Sequence, residues 1–169
     1  LPATSTGVAD DRGAARHALG LSGTGRLAAF VGLIRPYKGV DVLLDAVSRL
    51  PEESDWFVLV AGEAWGGLDS RLEEQVERLQ LAERVRLDLR WMAEDRLRSV
   101  LSAADLVVLP YRARAQSALA PMALAHGPPV LTTDVGGLAE VQISVIAWLA
   151  CFFLTSAMMA MVSAPICRR

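Results

Sequence analysis

The sequence predicts an α/β protein with a Rossmann-like, doubly wound parallel sheet that helices cover on both faces. The first observation is that short apolar runs alternate with segments whose apolar residues recur at helical spacing. The second is that most of these runs are apolar throughout, as expected of parallel strands buried on both faces. Because crossovers between parallel strands are right-handed, the alternation folds into a doubly wound sheet. A chain of 169 residues is long enough for one such domain with its own core.

The first half of the alternation contains three predicted strands and two predicted helices. The run RLAAFVG (26–32) ends in glycine and predicts the first strand, and WFVLVAG (56–62) repeats the pattern for the second. Between them, 40–50 places its apolar residues at helical spacing, and 68–81 predicts an amphipathic helix with a charged solvent face. RVRLDLR (84–90) alternates apolar and charged residues, which predicts a strand near an edge of the sheet.

The second half continues in the same order. Segment 94–104 predicts a helix, DLVVLPY (105–111) a buried strand, and 117–127 a helix that ends at its glycine. The run PPVLTTD (128–134) predicts the fifth strand. Ligands of such sheets bind outside the carboxyl ends of the strands. We therefore expect a site where the loops GLIRPYKG, GEAWGG, PYRARAQS and DVGG come together.

The loop GLIRPYKG, which follows the first strand, carries Arg35 and Lys38, the only lysine in the chain. Gly32 and Gly39 allow close approach to the backbone, and the helix that follows points free N–H groups toward an anion. These features predict a phosphate or diphosphate pocket; the alternative is that both cations are solvated loop residues. The loop is not a Walker A motif, because the lysine precedes the second glycine and no Ser or Thr follows it. No G-x-G-x-x-G follows the first strand either.

Composition and charge exclude several classes of function. The net charge of -2 and the pI near 5.7 argue against a nucleic-acid partner. The two cysteines, Cys151 and Cys167, form neither a disulfide framework nor a zinc pattern, so we expect a reducing compartment. The sequence supports no Ser-His-Asp or Cys-His catalytic arrangement.

The motifs FVGLIRPYKGVDVLLDA, LVAGEAW and SAADLVVLPYRARAQSALAPMALAHGPPVLTTDVGGLAE, in this order, resemble the C-terminal domain of glycosyltransferase family 4 enzymes, which have the two-domain GT-B fold. The resemblance covers about residues 10–141. It implies that this domain binds a nucleotide-diphosphate sugar, while a separate N-terminal domain holds the acceptor. It also implies a retaining hexosyltransferase-like enzyme of the cytoplasm that needs neither a metal nor another cofactor. The sugar, the nucleotide and the acceptor are not identified by it.

The resemblance also implies roles for individual residues. Arg35 and Lys38 would be catalytic, because they would grip the donor diphosphate and stabilise the departing nucleotide electrostatically. The nucleoside is expected near residues 90–95. The residues expected to contact the donor are Gly32, Glu63, Gln116, Ser117, Gly136, Gly137 and Glu140, the last three from a GGxxE turn.

The chain departs from the family where many members carry two glutamates eight positions apart. Those positions hold Arg114 and Met122, and a thioether cannot bind ribose as a carboxylate does. A subgroup with PYRxxxQSG replaces the glutamates, and PYRARAQSA is similar to it, with Ala118 in place of the glycine. The alternative function is therefore a non-catalytic Rossmann-like remnant, or a membrane-tethered binding module without transfer activity.

Both ends of the chain lie outside this pattern. Residues 1–24 are expected to be a linker or the remnant of an interdomain segment, and 25–141 the nucleotide-sugar-binding domain. The remainder, 142–169, is an apolar tail in which 143–162 carries no charge. Three interpretations of the tail stay open: a transmembrane helix, a helix buried against the domain or a partner, and an out-of-frame end of a truncated sequence. In the first, Arg168 and Arg169 would lie in the cytoplasm and a single span would put the donor-binding domain outside, which conflicts with the supply of nucleotide sugars. Association with the inner face of the membrane is the expectation that keeps the domain in the cytoplasm. In every case we expect the chain alone to be inactive.

Overall fold

The structure is a computed structural model that describes residues 6–21, 23, 25–113 and 117–135. It contains a five-stranded sheet in the order β3-β2-β1-β4-β5, in which all neighbouring strands are parallel. This order is that of a Rossmann-like half, so the predicted α/β fold is confirmed. The elements are α1 (Thr6–Ala18), β1 (Arg26–Val31), α2 (Val40–Val47), β2 (Trp56–Ala61), α3 (Leu68–Arg78), β3 (Val85–Asp88), α4 (Glu94–Ala103), β4 (Leu106–Leu109), α5 (Leu119–His126) and β5 (Val130–Thr132).

The central strand β1 explains why the sequence contains continuous apolar runs. It pairs with β2 along its whole length and with β4 through Ala28 and Ala29. Every residue of β1 after Arg26 is buried, because helices pack on both faces of the sheet. By contrast, β3 lies at an edge of the sheet, with Val85 buried and Arg86 exposed. The predicted alternation ends there, because Leu87 is half-buried and Asp88 is buried.

The helices pack on the sheet in two groups. α2 buries Val40, Leu43, Leu44 and Val47 and lies beside α3. α1 and α5 both pack against α4. Because the crossovers are right-handed and the chain reverses direction between β3 and β4, the two groups cover opposite faces. The carboxyl ends of all five strands therefore meet along one edge, which is where the candidate site lies.

The described part of residues 1–24, expected to be a linker or the remnant of an interdomain segment, forms helix α1 and packs on α4. Arg12 and Arg16 both pair with Asp105 at the start of β4, where a carboxylate oxygen also accepts a hydrogen bond from the backbone N–H of Leu27 at 2.7 Å. Leu19, after the helix, is buried in the core. The helix joins the domain by ion pairing and apolar burial together.

The predicted strands and helices are confirmed, although most of the observed elements are shorter by one to three residues at an end. The apolar tail at 142–169 lies outside the described residues, as does the domain boundary at 141. Within the described part of the chain, no helix has the length and apolar character needed to span a bilayer.

Candidate functional site

The loops after β1 and β2 lie side by side at the carboxyl edge of the sheet. The N–H of Ile34 donates to the carbonyl oxygen of Glu63 at 2.8 Å, and Ile34 forms an isolated parallel bridge with Ala64. Gly62 adopts φ 143°, and a Cβ there would overlap the carbonyl oxygen of Gly32 and lie 2.7 Å from its carbonyl carbon. Only glycine fits this contact, so the two loops form one continuous surface.

The loop after β1 also rests on the loop after β4. Gly39 has φ 67°, and a Cβ there would overlap the carbonyl oxygen of Pro110. The N–H of Arg112 donates to the carbonyl oxygen of Tyr37 at 2.7 Å, and its guanidinium pairs with Asp41 at 2.5 Å. The loop GLIRPYKG is therefore held on both sides, by the strand ends of β2 and β4.

Lys38 occupies the middle of this surface. Its side chain is half-buried, and its Nζ lies 3.9 Å from the position that a Cβ of Gly32 would take and 5.6 Å from the centre of the Tyr111 ring. Among the described residues no carboxylate pairs with it. Burial, and to a smaller extent Arg35, lowers the pKa of Lys38 below its ordinary value of 10.5. A half-buried cation without a counter-charge is costly, and an anion bound there would relieve that cost.

Arg35, the second predicted catalytic cation, stacks on an aromatic ring. Its guanidinium carbon lies 4.5 Å from the centre of the Trp65 ring, in the loop after β2. Trp65 is 49% exposed, so the stacked pair faces solvent at the rim of the site. Glu63, in the same loop, contributes its carbonyl oxygen to the loop pairing described above. The structure thus brings Arg35, Lys38, Gly32 and the Glu63 backbone together.

The helices that begin at this edge present their N-termini to the site. α2, α3 and α5 begin after Gly39, Gly67 and Ala118, and none of the three has a side-chain cap. Their first-turn N–H groups are therefore available to an anion. Ala118 has φ -64° and ψ -20°, so alanine replaces the subgroup's glycine here without backbone strain.

Tyr111 is a site residue that the sequence analysis missed. It directly follows Pro110 at the end of β4, is 1% exposed, and packs edge-on against Tyr37 with ring centres 6.0 Å apart. Its hydroxyl lies 3.2 Å from the Oγ of Ser117, and its carbonyl oxygen accepts a hydrogen bond from Thr133 at 2.5 Å. Burial raises the pKa of Tyr111 above its ordinary value. The signal available in the sequence was an aromatic residue at the end of a buried strand run.

The loop after β3, near which the nucleoside is expected, begins at Asp88, whose carboxylate is paired with two arginines. Arg90 donates to Asp88 at 2.9 Å and Arg96 donates to it at 2.6 Å. The hydrogen bond from Arg90 is the main cause that lowers the pKa of Asp88, with Arg96 adding to it. Trp91, next to this pair, is 74% exposed.

A side groove of about 380 Å³ opens next to the predicted anion pocket without including Lys38. It runs between α2 and α3 and shares Arg35 with the loop after β1. Gln75, buried in α3, donates to the carbonyl oxygen of Asp41 at 3.0 Å and to the carboxylate of Asp45 at 2.7 Å, which ties the two helices together.

The remaining predicted residues divide between described and undescribed positions. Met122 lies in α5 and is exposed, so no carboxylate is supplied from that position. Arg114, Gln116, Gly136, Gly137 and Glu140 lie outside the described residues. Within the part that the structure describes, no group of three or more His, Cys, Asp or Glu side chains could hold a metal ion.

Comparison with known families and curated proteins gives a consistent result. The family model described as "Glycosyl transferases group 1" matches residues 25–151. A D-inositol 3-phosphate glycosyltransferase of Mycolicibacterium gilvum is 41% identical over 131 residues, which are 76% of this chain and 29% of that protein. The chain therefore spans less than a third of the length of this curated relative.

Solved structures with the same fold include nucleotide complexes. Anabaena HepE in complex with UDP superimposes with a TM-score of 0.68 at 27% identity, over 81% of this chain and 36% of that one. A second structure of HepE contains UDP-glucose. WaaG, a glycosyltransferase involved in lipopolysaccharide biosynthesis, superimposes with a TM-score of 0.70 at 27% identity, over 80% of this chain and 35% of that one.

Proposed function

The chain belongs to the group 1 glycosyl transferases and has a Rossmann-like half of their GT-B fold, and on that premise we propose that it is the donor-binding half of such an enzyme. It binds a nucleotide-diphosphate sugar at the carboxyl edge of its sheet. The glycosyl group passes to an acceptor held by a separate domain. We assign it to family 4, with transfer that retains the anomeric configuration and needs no metal.

One observation carries the proposal. Lys38 is half-buried, has no carboxylate partner among the described residues, and lies beside Gly32 at the end of the central strand. The uncapped N-terminus of α2 begins after the adjacent Gly39. A diphosphate would supply the missing negative charge to both, whereas a solvated loop cation would not need to be buried. The complexes of HepE with UDP and UDP-glucose support a uridine nucleotide as the first ligand to examine.

The chemistry follows from the position of the cations. When the bond between the sugar and the diphosphate breaks, negative charge grows on the departing phosphate oxygens. Lys38 and the N–H groups of α2 stabilise that charge, and Arg35 adds to it from the rim of the pocket. Because these groups are already held in place by the loop contacts, little reorganisation is needed during the reaction.

Acceptor binding, and with it the transfer reaction, is assigned to a separate domain. We infer that the 169-residue chain by itself binds donor and does not transfer it, since acceptor binding is assigned to a separate domain. The exposed Met122 favours the second candidate function, a binding module without transfer activity, because it leaves a ribose-binding carboxylate absent from that position. We place the protein in the cytoplasm, where nucleotide sugars are supplied.

Calorimetric titration of the purified chain tests the proposal. UDP-, GDP- and ADP-glucose are titrated into the wild type, Lys38→Gln and the matched control Arg49→Gln, which removes an exposed cation after α2. We expect one of these nucleotides to bind the wild type and the control equally, and Lys38→Gln to bind it about tenfold or more weakly, as for the loss of a charge-assisted contact. Equal binding by Lys38→Gln would refute the diphosphate role.

A further inference from the structure

We propose that Tyr111 is a positioning residue that joins Lys38 and Ser117 into one diphosphate-binding unit, by donating its phenolic proton to Ser117. The inference rests on the proposed donor-binding function and adds a residue to it. Lys38 follows β1 and Ser117 precedes α5, so the two lie on different loops. The side chain of Tyr111 contacts both of them.

The geometry places the phenol between the two loops. The Nζ of Lys38 lies over the ring, 5.6 Å from its centre, and the hydroxyl lies 3.2 Å from the Oγ of Ser117. Tyr37 and Thr133 hold the residue from two further sides, through a ring contact and a hydrogen bond to its carbonyl oxygen. A side chain held in this way loses little additional freedom when a ligand binds.

The chemistry of the ligand decides the direction of the Tyr111–Ser117 hydrogen bond. A diphosphate oxygen is only an acceptor, so the single hydroxyl proton of Ser117 must be donated to the ligand. Its oxygen can then accept a proton from Tyr111, and the phenol remains protonated because burial raises its pKa. The result is a short chain in which Tyr111 donates to Ser117 and Ser117 donates to phosphate. Each bond in such a chain polarises the next.

Isosteric variants separate this role from a structural one. Tyr111→Phe removes the hydroxyl and keeps the ring, and Ser117→Ala removes the acceptor. Ser48→Ala is the control, because it removes an exposed hydroxyl outside the site, one that donates to the carbonyl oxygen of Asp45 at 2.8 Å. Each variant, and the double variant Tyr111→Phe/Ser117→Ala, is titrated with UDP and with uridine, and its thermal unfolding is recorded without ligand.

We expect Tyr111→Phe to bind UDP about fivefold more weakly and to bind uridine as the wild type does, and Ser48→Ala to bind both ligands as the wild type does. In the Ser117→Ala background the Tyr111 substitution should add nothing. Tyr111→Leu, which also removes the ring beside Lys38, should weaken UDP binding further.

Three results would overturn the inference: unchanged UDP binding by Tyr111→Phe, additive effects of the two substitutions, or equal weakening for uridine. If UDP binding depends on Lys38 but Tyr111→Phe leaves it unchanged, the role of Tyr111 is refuted and the proposed function stands. Wild-type chain that binds no UDP removes the proposed function with it.

Discussion

Replacing Gly39 with alanine should destabilise the protein more than any other change in the loop after β1 that adds a single methyl group. Gly39 has φ 67°, a left-handed conformation that alanine adopts at a cost of about 1–2 kcal/mol. A Cβ would also overlap the carbonyl oxygen of Pro110 and lie 3.1 Å from its carbonyl carbon. Because this is a backbone contact, the loop after β1 and the loop after β4 would have to separate.

The total cost can be bounded from these two terms. Overpacking at a rigid contact costs about 1–3 kcal/mol. Added to the conformational cost, this predicts that Gly39→Ala lowers the free energy of unfolding by about 2–5 kcal/mol, a large part of the roughly 5–15 kcal/mol that a domain has. The separation would also move the adjacent Lys38, so binding of a diphosphate should weaken in the same variant.

Gly67→Ala is a matched control for the backbone conformation alone. Gly67 has φ 71° and ψ 21° and begins α3, as Gly39 with φ 67° and ψ 29° begins α2. A Cβ on Gly67 would have no atom within 4 Å. Urea unfolding of both variants should therefore show a loss of about 1–2 kcal/mol for Gly67→Ala and a distinctly larger loss for Gly39→Ala. Equal losses in the two variants would refute the contact between Gly39 and Pro110 as the cause.

Three further predictions concern the charged groups. Trp65→Ala should weaken UDP binding by freeing the Arg35 guanidinium, whereas Trp65→Phe, which keeps a ring, should weaken it less; calorimetry compares the two. Since the pKa of Lys38 is lowered, UDP affinity should fall as pH rises through that lowered pKa, below 10.5, and Lys38→Arg should abolish the dependence; a flat wild-type profile would contradict this. The pKa of Asp88 is lowered in the folded protein, so the stability that Asp88 contributes is present above its unfolded pKa and is lost as pH falls through its folded pKa. Asp88→Asn should therefore flatten the acid part of a plot of the urea midpoint against pH. The same acid profile in the wild type and Asp88→Asn would contradict this.

The strands of the fold could be predicted from the sequence because buried strands appear in it as short apolar runs. β1 and β2 are buried on both faces, so each is a continuous apolar run of strand length. Helix α1 was not predicted, because its segment has no comparable apolar pattern. Its segment is rich in alanine and charged residues, and what holds it is the pairing of Arg12 and Arg16 with Asp105, some ninety residues away in the chain.

The cations of the candidate site can be proposed from the sequence, whereas the contacts that support them cannot. Glycines and cations in one loop before a helix are local features, and they make Arg35 and Lys38 the candidates for binding an anion. The stacking of Arg35 on Trp65 and the position of Tyr111 beside Lys38 depend on how separate loops meet at the sheet edge. Residue spacing does not predict these contacts between loops. They follow only once the strand order places β1 between β2 and β4.

Whether Lys38 holds the donor diphosphate can be measured on that residue directly, because the chain contains no other lysine. Labelling the lysine side chain with ¹³C at Cε gives one side-chain signal, whose shift against pH reports the pKa of Lys38. We expect the pKa of Lys38 to lie below 10.5 in the free chain and to rise clearly when UDP-glucose is present at saturation, since a bound anion favours the charged form. The same pKa with and without the nucleotide sugar would show that Lys38 does not bind the diphosphate.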